Sequence, residues 1–555
     1  MNSLLILLIA MIVVIGGVLM LKLHAFLALV LGALVVSALT AADQVYQVEL
    51  KNSAIEVAAV DPTSGHLQLK IGTGQQLIEG ENLLIRGPHV ADLDVSRVVV
   101  VRQVRSDEND PRLKVASYTG TLVPQVGDWL LHSTQLDSAR RTSRASIGTL
   151  VAQGFGATCG NLGILIAMAS IIGKCLLESG AAERIVVAAL DRVGERRAGV
   201  AFLGSGFVLG IPVFFDTVFY LLLPLAKALR LATGRHYVLY VLTIVAGATM
   251  AHSLVPPTPG PLFVAEQLSV DVGVMMIAGI CVGMVTVAAG YLYACWADRR
   301  WNIPLRPSAE LSDEQLGDLS RRDPASLPPL GVSLLPIVLP VILIAAGTIC
   351  SRAYGPGSPT PGWIDALLIV GDKNLALVIA AAVALLLLVK QIGLRATGPA
   401  VQTALASAGV IILITAAGGA FGGVLRQTGI AGEIAGLVPA SQSALLWLPI
   451  AFGITSLVRI AQGSATVAMI TAVGIVAPAA VGADLGFHPV YLALAIGCGS
   501  KPIPWMNDSG FWIISTMSGF TEAETLKTAS VMMTMMGLVG LGVTLLAASL
   551  LPLVP

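Results

Sequence analysis

The chain is short of charge. Asp, Glu, Lys and Arg make up 12% of its 555 residues, against about 25% in a typical soluble protein. The deficit is uneven, because residues 43–144 hold 24 of the 66 acidic and basic side chains. Outside that stretch the composition is that of a membrane protein. Positive and negative charges cancel to a net charge of zero, so there is no general argument for nucleic-acid binding. The six cysteines (Cys159, Cys175, Cys281, Cys295, Cys350 and Cys498) all lie in or beside apolar segments, and none lies in the polar stretch. Their spacings fit no zinc site or disulfide framework, so they read as small buried hydrophobes. The N-terminal MNSLLILLIAM has no basic lead and no small-residue cleavage site. It reads as a retained first span and not as a signal peptide. No His-Glu-x-x-His motif occurs, nor a Ser/His or paired-Asp protease signature, so neither an enzyme, a cofactor nor a metal is expected.

Long uncharged runs are what the chain has in abundance. Residues 3–21, 25–42, 147–172, 272–297, 330–350 and 396–425 are among them. Most reach the roughly 17–25 residues that a helix needs to cross the hydrocarbon, and the whole reads as about 11–13 spans or re-entrant pieces. The expected fold is an all-α polytopic membrane protein with broken helices and one small all-β extramembrane insert.

Five regions follow. Residues 1–42 form two spans. Residues 43–146 form a β-rich soluble insert, with strand-like runs YQVEL, EVAAV, HLQLKI, NLLIRG, RVVVVRQV and LKVASY. Turn signals separate them, among them Ser64-Gly65, Gly72, Gly74, Glu79-Gly80 and Asp110-Pro111, as in a small barrel or sandwich. The insert carries no catalytic constellation and reads as an accessory module. Residues 147–297 and 330–555 form two transport halves, joined by a charged linker at 298–329. Each half runs through a Gly-rich span, a long segment with a polar centre, and then a break: GNLGILIAMASIIG, GIPVFFDTVFYLLLPL and HSLVPPTPGP in the first; ILITAAGGAFGGVL, RIAQGSATVAMITAVGIVAP and SKPIPWMNDSGFW in the second. Basic residues collect between residues 184 and 197 and in the linker. Both stretches are expected on the cytoplasmic side, with the insert on the periplasmic side. Arg140, Arg141 and Arg144 pull the other way.

The two breaks point to function. Lipid cannot satisfy free backbone N–H and C=O groups, so an interrupted span survives only against protein or a wet cavity. Matching breaks in two halves point to the substrate site of a secondary transporter. Around the first, Pro256, Pro257, Pro259 and Pro261 exclude a continuous helix, and His252, Ser253 and Thr258 are candidate substrate ligands. In the second, Asn507 is a candidate ligand. Asp508 either exchanges a proton or is neutralised by Lys501. Asp216, between apolar runs in VFFDTVFY, is the other proton-coupling candidate, because a carboxylate inside the membrane is functional or paired. Arg459 either forks a substrate carboxylate or snorkels to the interface. Gln462, Ser464 and Thr466 offer hydrogen bonds to hydroxyls, Gln462 and Thr466 sharing a face if the helix is continuous. They equally suit small-residue helix packing. The two breaks are expected to meet in one cavity, with Ser464 and Thr466 close by.

At HSLVPPTPGP, RIAQGSATVAMITAVGIVAP and NDSGFW, with FGATCGNLGILIAMASIIGK and GIPVFFDTVFYLLLPL in support, the chain resembles the gluconate permease family, the bacterial gluconate:proton symporters. The resemblance covers the first two spans and residue 147 onward. It implies proton-driven uptake of gluconate or a related small hydroxy-acid anion through the bacterial inner membrane. It also implies the ion-transporter superfamily architecture of inverted repeats, with a homodimer and an elevator-like motion. Two features depart from the family pattern. The β insert is not typical, and SKPIPWM replaces a stretch with Ser-His before Asn-Asp. A sodium-coupled carboxylate carrier is the nearest alternative, since broken helices also suit sodium. A membrane sensor using the insert belongs to another class, and would not need two matched breaks.

Overall fold

The structure, a computed structural model, describes residues 2–61, 66–70, 82–86, 98–106, 113–120, 125–306, 326–354, 361–430, 433, 444–480 and 485–553. Several of the insert's expected turns, and linker residues 307–325, lie outside the described residues. The chain divides into two compact units.

The smaller unit comprises Met1–Ile6, Leu34–Leu150 and Val424–Ile430. It takes in the start of α1 (Ser3–Leu19) and the end of α2 (Ala25–Leu39), which bends by 100° into α3 (Ala42–Ser53). Six strands follow: β1 (Ile55–Asp61), β2 (His66–Lys70), β3 (Asn82–Arg86), β4 (Val98–Ser106), β5 (Leu113–Gly120) and β6 (Trp129–Leu131). They close into an antiparallel barrel in the order β1-β2-β5-β4-β3-β6, with β6 paired back to β1. Alternation sets the pleat: Leu67 and Leu69 are buried, while Gln68 between them is half-buried and His66 before them is exposed, the period of a strand with one face inward. Helix α4 (Ser133–Arg144) carries the chain away and packs with α3.

The stretch YQVEL is helical, in α3, and not a strand. Its 46-48-50 alternation reads as β, but Tyr46 and Leu50, four apart, form a helical face. That face packs into a cluster with Leu84, Leu131, Leu136 and Ala139, so tertiary packing overrides the local pattern. Ser3 Oγ and the Gln44 carboxamide both donate to the Thr428 carbonyl, tying α1 and α3 to the turn at its end of the unit.

The larger unit holds α5 (Ile147–Glu178, its first turn in the smaller unit), α6 (Ala181–Val193), α7 (Ala198–Leu209), α8 (Phe215–Thr233), α9 (Tyr237–Leu254), α10 (Pro259–Gln267) and α11 (Val272–Arg300). After the linker come α12 (Leu330–Ala353), α13 (Gly362–Val370), α14 (Lys373–Ile392), α15 (Leu394–Arg426, its last turn in the smaller unit), α16 (Trp447–Gln462) and α17 (Ala465–Ala480). The last are α18 (Val490–Gly499), α19 (Ser509–Ser518) and α20 (Glu522–Leu550), with a π turn at Leu526–Ser530. Among the described residues, eight helices are long and apolar enough to cross a membrane, or nine if the bent pair is one span. Four shorter apolar helices accompany them, Ser3–Val14, Ala198–Leu209, Ala465–Pro478 and Val490–Gly499. Together they fall within the expected number of spans and re-entrant pieces.

Helix α9 is apolar all round and buried on nearly every side, as a central helix must be. It packs against α7 and α11. Small residues allow the approach: a Cβ on Gly247 would clash with Leu203 O, and one on Gly279 with Leu254 O. With no water to expel between apolar helices, close van der Waals contact is what holds them together. The six cysteines are free. Cys175 and Cys498 are buried, but Cys281 is exposed on α11, contrary to the uniform burial expected of small apolar side chains. It shares an exposed apolar face of the helix with Ile277, Met284 and Val285.

Candidate functional site

Four interruptions, not two, shape the site. Besides residues 255–258 and 500–508, the chain breaks at 210–214, before α8, and at 463–464, before α17. Each places a helix N-terminus at one cavity of about 610 Å³, within the size range of small-molecule sites. Asp216 and Thr217 come from the first turn of α8, and Pro259 from that of α10. Ser464, just before α17, and Thr466, in its first turn, contribute next, and Ser509 and Gly510 open α19. Thr249 and His252 line it from the end of α9, and Lys501, Pro504 and Asp508 from the second break. Arg459 of α16, Ser407 and Thr415 of α15, and Thr525 and Ser530 of α20 complete the polar lining. Helix N-termini present N–H groups and the positive end of the macrodipole, which favours an anion.

The breaks satisfy one another. Gly463 adopts φ +80° at the end of α16, a conformation that only glycine takes without strain. A Cβ there would also clash with Asn507 O. The last turn of α16 leaves carbonyls without intrahelical partners, and the second break supplies donors. Asn507 Nδ2 donates to Ile460 O at 2.8 Å and Ala461 O at 3.1 Å, and Trp505 Nε1 donates to Ile460 O at 2.8 Å. Arg459 Nε donates to Ser500 O at 3.0 Å, while its Nη1 donates to Gly463 O and its Nη2 pairs with Asp508 Oδ2. The other carboxylate oxygen of Asp508 accepts from Gly510 N at 2.8 Å, capping α19. The first break joins the second through Ser500 Oγ, which donates to Ser253 Oγ at 3.2 Å, and Lys501 Nζ, which donates to Thr249 O at 2.7 Å. Gly497 lets these segments approach, since a Cβ there would lie 2.7 Å from Ser253 O.

The sequence candidates separate accordingly. Asp216, His252, Arg459, Ser464, Thr466 and Asp508 line the cavity. Arg459 is inside and not at an interface, with 3% of its side chain exposed. Asp508 is paired with Arg459, where the sequence offered Lys501 as the neutralising partner. Among the described residues Asp216 has no ion-pair partner. His252 stacks edge-on to Phe214, ring centroids 5.7 Å apart, and its Nδ1 is buried without a partner. Ser253, Thr258, Gln462 and Asn507 are not among the lining residues. Ser253 meets Ser500, Thr258 Oγ1 donates to Val255 O at 2.8 Å, and Asn507 secures α16. Gln462 and Thr466 do not share a helical face, because Gly463 ends one helix before the other begins. Both amide atoms of Gln462 are buried without partners.

Sequence reasoning gave Lys501 only a neutralising role and passed over Thr217, Thr249, Ser407 and Thr415. Lys501 carried a usable signal, a lone cation in a broken apolar segment, the same kind that singled out Asp216. Isolated hydroxyls in apolar helices carry none.

Comparison with known proteins places this arrangement. The family model described as GntP family permease matches residues 130–551. The low-affinity gluconate transporter of Escherichia coli K12 is 32% identical over 453 residues, 79% of this chain and 95% of the relative. A gluconate permease of Pseudomonas aeruginosa is 33% identical over 406 residues, 72% and 87% of the two chains. An uncharacterized permease of Haemophilus influenzae is 32% identical over 379 residues, 67% and 77%. These relatives are permeases and transporters, not enzymes. In fold, the chain is similar to the crystal structure of the YdaH transporter of Alcanivorax borkumensis. The TM-score is 0.53 at 15% identity, covering 82% of this chain and 95% of that one.

Proposed function

The chain belongs to the GntP permease family, and from that premise we propose that it is a proton-coupled secondary transporter of gluconate or a related small hydroxy-acid anion. The observation that carries the proposal is the cavity where the chain breaks meet. Four helix N-termini and Lys501, which makes no ion pair among the described residues, favour an anion, and the hydroxyls of Ser464, Thr466, Thr217 and Thr249 suit a polyhydroxylated one. Asp216 is the coupling group. It lines the cavity without an ion-pair partner, so it can gain a proton there without breaking a pair. Asp508 is committed to Arg459 and to the cap of α19, and it organises the site. Ser253, Thr258 and Asn507 support substrate binding indirectly, by holding the breaks in place.

Residues 147–297 and 330–555 act as two inverted repeats, joined by the linker at 298–329 on the cytoplasmic side. The protein works as a homodimer in the bacterial inner membrane, with residues 43–146 as a periplasmic accessory module. The test is uptake into proteoliposomes of labelled sugar acids under an imposed pH gradient, repeated with a sodium gradient at constant pH. Accumulation driven by the pH gradient alone is expected. Accumulation that requires sodium would assign the chain to the sodium-coupled carboxylate carriers, and equal leakage of all solutes would end the transport reading.

A further inference from the structure

We infer that Lys501, and not Arg459, is the cation that receives the carboxylate of the transported anion, which deepens the transport reading and rests on it. Arg459 has the conventional chemistry for gripping a carboxylate, but its charge is already answered. Its Nη2 pairs with Asp508, and Nε and Nη1 donate to the carbonyls of Ser500 and Gly463. Lys501 lines the same cavity, is 2% exposed, and makes no ion pair among the described residues. An ammonium has three donors, and the hydrogen bond that Lys501 donates goes to Thr249 O at 2.7 Å. Two donors therefore remain for a ligand. A buried cation without a counter-charge is costly unless a ligand supplies one.

The ionisable groups that face this space are few. Asp216 comes from α8, His252 from α9, Arg459 from α16, and Lys501 and Asp508 from the second break, while Cys498 lies behind on α18. With His252 neutral, two cations balance two carboxylates. A proton on Asp216 leaves the cavity one positive charge in excess, centred on Lys501, and a monoanion restores balance. Each ligand thus improves the site for the other, and this reciprocity is thermodynamic coupling.

The test is equilibrium binding to the purified full-length protein of gluconate and of gluconamide, its neutral amide. The wild type is expected to prefer the acid at least tenfold. Lys501→Met and Lys501→Gln should bring that ratio to within threefold of unity, and Lys501→Arg should keep the preference. A preference that survives in the Met and Gln variants overturns the inference. If those variants do not fold, the wild type decides: gluconate, and not gluconamide, should protect Lys501 from reductive methylation read by mass spectrometry. Equal labelling with either ligand overturns the inference. A wild type that binds neither gluconate nor another sugar acid removes the transport reading itself, a result distinct from binding that ignores Lys501.

Discussion

Two carboxylates that look alike in sequence have different standing in the site. Asp216→Asn keeps the shape of the cavity but removes its proton acceptor. We expect uphill accumulation to fall to background while exchange of internal for external substrate persists, read as counterflow in proteoliposomes. Full accumulation by the variant would end the coupling role. Asp508→Asn should act on stability instead, because it leaves Arg459 buried and uncompensated, a loss of about 3–5 kcal/mol for a buried pair. Thermal unfolding in detergent should show the drop, and a variant as stable as the wild type would refute it. Gly463→Ala combines positive-φ strain with a clash against Asn507 O, and should lower transport at least tenfold with a reduced unfolding temperature. At this scale the sequence was legible where a charge stood in an apolar run, as at Asp216 and Arg459. It was illegible where conformation decided. Nothing in RIAQGSATVA by itself states that Gly463 turns left-handed, and that turn sends Gln462 and Thr466 to different helices.

Helix contacts in the larger unit depend on absent side chains, and two glycines show this in opposite ways. Gly247 of α9 faces the backbone of α7, whereas Gly204 of α7 has no atom within 4 Å of where a Cβ would stand. Gly247→Leu should therefore push the helices apart and destabilise by 1–3 kcal/mol or more, roughly the range for overpacking. Gly204→Leu should be tolerated. Comparing the unfolding temperatures of the two variants checks the pair, and equal effects would contradict the packing described. Most elements were legible from hydrophobic runs and turn punctuation. The breaks before α8 and α17 were not seen as breaks, because each is short and lies inside a long apolar segment: Gly210 and Pro212 punctuate the first, and Gly463 and Ser464 the second. α3 was misread for a related reason: YQVEL satisfies both periods, and its packing partners Leu136 and Ala139 lie far along the chain.

For the molecule as a whole, every residue lining the cavity belongs to the larger unit, and the barrel belongs to the smaller one. Removing residues 43–146 behind a short flexible linker should leave substrate binding within threefold of wild type. A modest loss of stability is expected, because Gln44 and Glu49 would no longer meet Thr428 and Gln427. A folded, membrane-inserted product that binds no substrate would place part of the site in the insert. The barrel also constrains whatever it meets. A sheet that ends in an open strand offers a row of backbone donors and acceptors to any passing chain, and peptides are often captured that way. Here β6 closes on β1 and every described strand has two neighbours, so no place is left for a seventh. Any partner of this module must be recognised through side chains on its outer wall or through its loops. Substitutions on that outer wall would then change partner choice without disturbing a hydrogen-bonded ring that needs nothing from outside.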